Sequence, residues 1–453
     1  MSRSRSERLI HKILVLFICL AFLPCFTGCA RVSPTGPDNG EVVLTIWENY
    51  NTEEHDVFVK LVKDFEPMAE KQFGIPVRLN VQRVPFDGFL SKLKTAALTH
   101  TTPDIARVDI GDMPTLAYGK ALLAIDKMEG FEGPDLETFR KKFVDAAIGS
   151  NILTIGRETH LFGLPDQTTC VALYWNRELF RNNAQRLAAA GLNPTVAPKT
   201  WDDFVRYGQA LTDTGRQQYG FAMDNSLWWT FPFFNTYDVP FFSIDNGIWK
   251  FRLAEERGVQ ALQRKVDLYQ KHHIEAGAWL PGAIGADQGF MNGKYAMILS
   301  GPWRLETFRQ AKVDYGVSLI PEGPAGTSTN VGGTNMVIFR KTRHPKIALA
   351  FLQFVSSSEY QIRWSKELNQ IPIRIDAIRT VLPTANEHLQ VFMRQMQTAK
   401  PRPNIPNYFM LEEIVNAEME LALKGSKSVE EALKSAGVLV DRKILAQLNV
   451  PTS

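Results

Sequence analysis

Cysteine is scarce in this chain. Four occur in 453 residues, and Cys19, Cys25 and Cys29 crowd into the first 29. Only Cys170 is left for the rest, so an intramolecular disulfide framework is excluded. A surplus of one charge is also missing. The formal charge is +3, and the first 28 residues account for it, with Arg3, Arg5, Arg8 and Lys12 against Glu7. Residues 29–453 hold 47 basic and 47 acidic side chains. Nucleic acid is thereby excluded as a principal partner, because phosphate binding needs a concentrated positive surface. There is no apolar run of the roughly 20 residues that a membrane-spanning helix needs. Repeats of fixed period and low-complexity segments are absent too. So are G-x-x-x-x-G-K-[ST], G-x-S-x-G, G-x-G-x-x-G and H-E-x-x-H, which removes the common signals for nucleotide, hydrolase and zinc chemistry. The eight histidines scatter without ligand spacing. His272 and His273 are adjacent and would diverge on a helix, so no metal and no cofactor are expected.

What is present is ordinary globular usage, 45% apolar and 22% charged residues. A single core stops growing near roughly 250–300 residues, so two domains or lobes are expected. The amino terminus is an address. Its positive charges precede Ile13–Phe26, an apolar run of 14 residues interrupted by Pro24, which is the pattern of a secretory signal. Phe26-Thr27-Gly28-Cys29 closes the run and resembles a bacterial lipobox, in which the cysteine is lipidated and begins the mature chain. Ordinary cleavage near Thr27-Gly28 is the alternative. Arg31 to Gly40 holds Pro34, Gly36, Pro37 and Gly40 and reads as a flexible tether.

Beyond the tether the pattern is strand, helix, strand. Val42–Trp47 is rich in β-branched residues and predicts a strand. Asn51-x-x-Glu54 offers a capping box to a helix carrying Phe58, Leu61, Val62, Phe65 and Met68, stopped by Gly74 and Pro76. Val77, Leu79 and Val81 alternate with polar residues. Phe86, Phe89, Leu90, Leu93 and Ala97 mark a second helix, and Pro103-Asp104-Ile105-Ala106 opens a third strand. Connections this short imply a parallel sheet, whose ligands gather at the carboxyl ends of its strands. Those ends are Glu48 to Asn51 and Asp109 to Asp112. The pattern restarts with Val171–Trp175, a helix capped by Thr200-x-x-Asp203, and the apolar runs Tyr295–Leu299 and Gly316–Ile320. Pro345 opens a helix through Val355, and Ser428-x-x-Glu431 caps a last one. Residues 228–242 hold eight aromatic rings, and Pro232 and Pro240 speak against a regular helix there. Cys170 is expected to be a small buried residue rather than a nucleophile.

Five segments, in order, resemble the sugar-binding, maltose-binding-protein-like family of extracellular solute-binding proteins. They are Pro103-Asp104-Ile105 running to Gly119–Leu123, Phe162–Pro165 followed by Leu173–Phe180, Pro198–Phe204, Phe290–Met297 continuing to Gly301-Pro302-Trp303, and Gly332-Gly333 before an apolar strand. The resemblance spans 41–445. It implies an α/β fold of two lobes, each a mostly parallel sheet flanked by helices, with the ligand cleft between them. On this reading 1–28 are the signal, 29–40 a lipidated tether, 41–167 plus 333–366 lobe 1, and 168–332 plus 367–453 lobe 2. The chain crosses near Asp166–Thr169, near Val331–Thr334 and shortly after Trp364.

The implied ligand is a sugar, whose C–H faces favour aromatic surfaces and whose hydroxyls favour planar donors and carboxylate acceptors. By resemblance Trp303 is a cleft tryptophan, with Arg304 beside it as a hydroxyl donor or a surface ion pair. Trp228 and Trp229 either face the sugar or pack among the neighbouring phenylalanines. Glu48, Asn49 and Asn51 match the family's first loop, Asn51 also being a cap. Asp109, Asp112, Asp166 and Gln167 sit at strand ends and near the first crossing. Gly332 and Gly333 serve hinge geometry or close backbone approach. Tyr408 is a stacking ring in Pro403–Tyr408, and Glu412 stands where some maltose binders carry an aromatic. The implied partners are a sugar, the transmembrane subunits of an ABC permease and, through Cys29, a membrane, with the chain a monomer. Two alternatives stay open: the same scaffold holding a polyamine or metal complex, and a secreted glycosidase with Asp109 and Asp166 as its carboxylates.

Overall fold

A computed structural model describes residues 40–85 and 88–449. The signal, Cys29, the tether to residue 39 and Phe86 lie outside the described residues. The folded body begins at Val42. Its strands are β1 (Val42–Glu48), β2 (Val77–Arg83), β3 (Ile105–Asp109), β4 (Ile152–Ile155), β5 (Glu158–Leu161), β6 (Gly163–Cys170) and β7 (Ala172–Asn176). They continue with β8 (Phe242–Asp245), β9 (Ile248–Phe251), β10 (Met297–Ser300), β11 (Tyr315–Ser318), β12 (Thr329–Ile338) and β13 (Ala399–Lys400).

The first sheet has the order β13-β12-β3-β1-β2, with β6 also paired to β12. β1 lies parallel to β2 and β3, as the short strand–helix–strand spacing predicts. Along β1 alternate residues are fully enclosed, which turns Leu44 and Ile46 into one core. Asn51 caps the Thr52–Val62 helix through the expected reciprocal bonds with Glu54. The single helix expected beyond it is two. The chain breaks at Lys63–Asp64 and restarts over Phe65–Phe73, and Phe65 meets Phe351 edge-on at 5.2 Å. Gly74 ends the second helix in the left-handed region, where glycine carries no Cβ strain.

The second sheet has the order β10-β7-β11, and here the parallel expectation does not hold for the strands themselves. β10 and β11 both run antiparallel to β7. β7 arrives straight from the first sheet, with only Val171 separating it from β6. Parallel pairing survives as isolated bridges, such as Ala222 to Ile298.

The chain passes between the two sheets at β6 and β12, which pair antiparallel from Val331 opposite Cys170 to Val337 opposite Gly163. Thr329 fastens this ladder, its hydroxyl donating to the Val171 carbonyl at 2.8 Å. A bridge from Thr168 to Ile371 lays a third segment alongside. Cys170 is fully buried in this ladder, and burial pushes its thiol pKa up, consistent with an inert packing residue.

A further expectation is overturned. Leu227–Thr236 is an α-helix with Pro232 inside it. Proline removes one helical bond and costs about 3 kcal/mol in an exposed helix, yet eight of these ten residues are buried. Trp201 stacks on Phe233 at 4.4 Å, and its indole N–H donates to Thr236. Such burial, worth roughly 1.5–3 kcal/mol per large side chain, outweighs the lost bond. Among the described residues no helix is long and apolar enough to cross a membrane.

Candidate binding cleft

The carboxyl ends of β1 and β3 carry a polar network along the first lobe. Arg107 lies flat over the Tyr50 ring, 3.8 Å from its centroid. Its Nε donates to Asp166 Oδ2 at 2.9 Å, one Nη donates to Asn49 Oδ1 at 2.6 Å, and the other donates to Gln167. The Tyr50 hydroxyl donates to the same Asp166 oxygen at 2.6 Å. Burial works against the Arg107 charge and the Asp166 carboxylate more than offsets it, so the guanidinium pKa is raised. Glu48 is fully enclosed, accepting from the Tyr50 N–H at 2.7 Å and meeting His55 Nδ1 at 2.6 Å. Glu48, Asn49 and Asp166 Oδ2 are therefore engaged inside the lobe, holding strand ends together, while Asp166 Oδ1 is buried without a partner. Gln167 reaches outward and donates to Glu54 at 2.9 Å.

The opposing wall is aromatic. Trp303 follows Gly301-Pro302 in a short 3₁₀ turn and is 41% exposed. Trp229 stands 6.4 Å from Trp303, and Trp228 stands 6.4 Å from Trp229, centroid to centroid. The Leu227–Thr236 helix thus delivers two half-buried indoles that continue a row begun by Trp303. Arg304, beside Trp303, forms an ion pair in which its Nε donates to Asp287 Oδ2 at 2.6 Å.

The two ends of this row differ. At the Trp303 end the lobes enclose a cavity of about 1070 Å³. Asn51, Glu54, Gln167 and Thr169 line it on one side, and Trp303, Glu306 and Arg309 on the other. At the Trp228 end the lobes touch. Arg402 lies over the Trp228 and Tyr408 rings, at 5.6 and 5.1 Å, and donates to Asp109 Oδ1 at 2.7 Å. Tyr408 is buried against Gly111, and its hydroxyl donates to Glu412 at 2.9 Å. It is therefore a packed wall ring, not the open stacking surface expected of it. Burial, reinforced by the Asp109 charge and opposed by Arg402, pushes the Asp112 carboxyl up to about 7.

Between the ends lies the β6–β12 ladder. Trp228 covers Gly332, and Gly333 holds a φ of 129° with its α-carbon against the Gln167 carbonyl. Both glycines are required for close approach. Of the sequence candidates, the fold gathers Asp109, Asp112, Trp228 and Tyr408 at the closed end, with Gly332 and Gly333 on the ladder between the ends. Asn51, Gln167 and Trp303 lie at the open end, with Trp229 between. Sequence reasoning missed Arg107, Thr169 and Arg402. Thr169 alternates into the cavity two residues after Gln167, and its hydroxyl has no partner. No signal pointed to the two arginines, because nothing local marks a buried guanidinium. Asp109 and Asp166 are each bound to a different arginine rather than poised as a pair.

Comparison with known proteins agrees with this architecture. The family described as bacterial extracellular solute-binding protein matches residues 51–362. The arabinooligosaccharide-binding protein of Bacillus subtilis is 25% identical over 369 residues, 77% of each chain. The sn-glycerol-3-phosphate-binding periplasmic protein of Salmonella typhimurium is 24% identical over 367 residues, 76% of this chain and 79% of that one. Among solved structures, the cyclic alpha-maltosyl-1,6-maltose binding protein of Arthrobacter globiformis superposes with a TM-score of 0.73 at 24% identity, covering 89% of this chain and 99% of that one. The sugar-binding protein MalE of Xanthomonas citri superposes with a TM-score of 0.73 at 21% identity, covering 90% and 98%. Two lobes about a cleft are the shared fold.

Proposed function

Because the chain belongs to the bacterial extracellular solute-binding proteins, we propose that it captures a sugar or oligosaccharide between its lobes and delivers it to the transmembrane subunits of an ABC importer. The observation that carries this reading is the interlobe cavity, with the exposed Trp303 indole facing Asn51, Glu54 and Gln167. An indole offers a surface for a sugar's C–H face, and the opposing groups offer donors and acceptors for hydroxyls. The cavity's basic side chains, Arg177, Arg309 and Lys312, are outnumbered by Glu53, Glu54, Glu306 and Asp314, so charge favours a neutral ligand over a phosphoester. The two arginines lining the cavity are already paired, Arg309 with Glu306 and Arg177 with Glu387. A ligand bridging both walls favours the closed arrangement through contacts that only that arrangement supplies.

Turnover is no part of the proposal. The glycosidase alternative needs two carboxylates free to flank one bond, and Asp109 and Asp166 are bound elsewhere. Oligosaccharides recovered unchanged after long incubation support binding alone; hydrolysed product absent from a heat-killed control would overturn it. A thermal-shift screen over a sugar library tests the ligand class. A true ligand at a hundredfold its dissociation constant adds about 2.7 kcal/mol of stability. If only polyamines or metal complexes stabilise the protein, the non-sugar alternative replaces the sugar. Cys29 belongs to the same proposal, as a lipid anchor holding a monomer at the outer face of the membrane. Cys29→Ser should release the protein as soluble material, and unchanged membrane association would remove the anchor from the scheme.

A further inference from the structure

The closed end of the indole row holds two polar atoms with nothing to bond. The Arg402 side chain is 8% exposed, and its Nε–H has no partner although one Nη is committed to Asp109. Asp112, within electrostatic reach of both Arg402 and Asp109, has an Oδ1 that is buried and equally without a partner. Buried polar groups are nearly always satisfied, so an unpaired donor on a charged group and an unpaired acceptor within its electrostatic reach point to a missing third party. A sugar residue offers hydroxyls for both, one accepting from Arg402 Nε and one donating to Asp112 Oδ1. The same place is blocked to anything longer. Arg402 is bound across the lobes to Asp109, Tyr408 fills the space beside Gly111, and the Asn407 N–H donates to Thr115 Oγ1 at 3.0 Å. The row therefore opens only at its other end, beside Trp303.

We propose that Arg402 and Asp112 form an end-stop that receives the terminal residue of a short oligosaccharide, so that this protein recognises a chain end and not an internal segment. The proposal rests on the reading of the cleft as a saccharide site. In it the ligand enters past Trp303, its rings lie along Trp229 and Trp228, and the leading residue meets the guanidinium. Arg402 is then a specificity-determining residue. It excludes cyclic saccharides and chains whose leading end is substituted, whatever their composition.

The test is a titration of the full chain by calorimetry. The probes are linear di- to tetrasaccharides of glucose, xylose and arabinose. Each is used free, labelled with 2-aminobenzamide at the reducing end, and O-methylated on the non-reducing residue, with cyclodextrins as the endless counterpart. One end modification should weaken binding by on the order of 100-fold, as expected where a buried hydrogen-bonding site loses its partner, while the other is tolerated. Arg402→Gln should bind free oligosaccharides at least about tenfold more weakly and lose the discrimination between modified and free ends. Asp109→Asn separates the roles: it weakens the contact between lobes, leaves Arg402 in place, and should keep the discrimination. Equal tolerance of both modifications overturns the end-stop, as does a cyclodextrin bound as tightly as its linear counterpart, or an Arg402→Gln variant that discriminates like the parent. Binding to none of these saccharides removes instead the functional reading on which the end-stop stands.

Discussion

Trp228 lies across the backbone of Gly332 so closely that a Cβ placed there would stand 2.5 Å from the indole Cη2. The ring position and the hinge ladder are thus one piece of geometry. Gly332→Ala should push the indole aside and weaken ligand binding, by roughly 1 kcal/mol or more, while the protein still folds. Gly333→Ala should behave differently. Its φ of 129° and a Cβ position 2.1 Å from the Gln167 carbonyl leave no room, so the main loss is stability. Calorimetric titration and urea unfolding of both variants separate the effects; equal profiles would sink the distinction.

Trp303 is the most exposed indole of the row. Trp303→Ala should weaken saccharide binding by about 1–3 kcal/mol, the scale of burying a large apolar side chain. Its unfolding midpoint should hardly move. Titration of the parent should change Trp fluorescence and lower the radius of gyration from a starting value of about 22 Å or somewhat more. A Trp303→Ala variant that unfolds, or that binds normally, would place the ring outside the site.

The Arg107–Asp166 pair carries structural weight. Asp166→Ala strands a buried guanidinium, and breaking a buried pair in this way costs about 3–5 kcal/mol. Urea unfolding measures it. A loss below about 1 kcal/mol would show that Tyr50, Asn49 and Gln167 suffice to hold Arg107.

Lys265 sets a pH dependence. Its ammonium is buried beneath the Leu227–Thr236 helix, donating to Asn225 at 2.8 Å and Thr230 at 2.7 Å. Burial lowers its pKa to about 7, with Glu275 opposing. The unfolded chain holds that proton up to about pH 10.4, so between these values it binds more protons than the folded protein. Stability should therefore rise with pH across this window, by up to about 4 kcal/mol, and be lowest below pH 7. Lys265→Met should flatten the dependence. An unchanged slope in urea unfolding between about pH 6 and about pH 10 would remove Lys265 as its source.

Much of the fold was legible because its signals are local. The caps at Asn51, Thr200 and Ser428 each form the bond their spacing predicts. The apolar runs at Tyr295–Leu299 and Gly316–Ile320 became β10 and β11. Failures came where tertiary packing decides. Pro232 argued against a helix that surrounding aromatic rings hold in place. Glu48, Asn49 and Asp166 have the composition of sugar-binding loops, and only the unseen arrival of Arg107 turns two of them inward. The Arg402–Asp109 contact joins residues 293 positions apart, beyond any pattern of spacing.

Cys170 gives the hinge its own clock. It is the one thiol in the chain beyond Cys29, and it lies at zero exposure opposite Val331, where the two crossing strands meet. Its thiol faces the Glu387–Met396 helix and meets the Phe392 carbonyl at 3.6 Å, so a thiol reagent reaches it when that helix lifts from the ladder. The rate of its modification therefore counts such openings without any engineered label. Bending of the lobes with the helix seated leaves the thiol silent, whereas motion that lifts the helix makes it react.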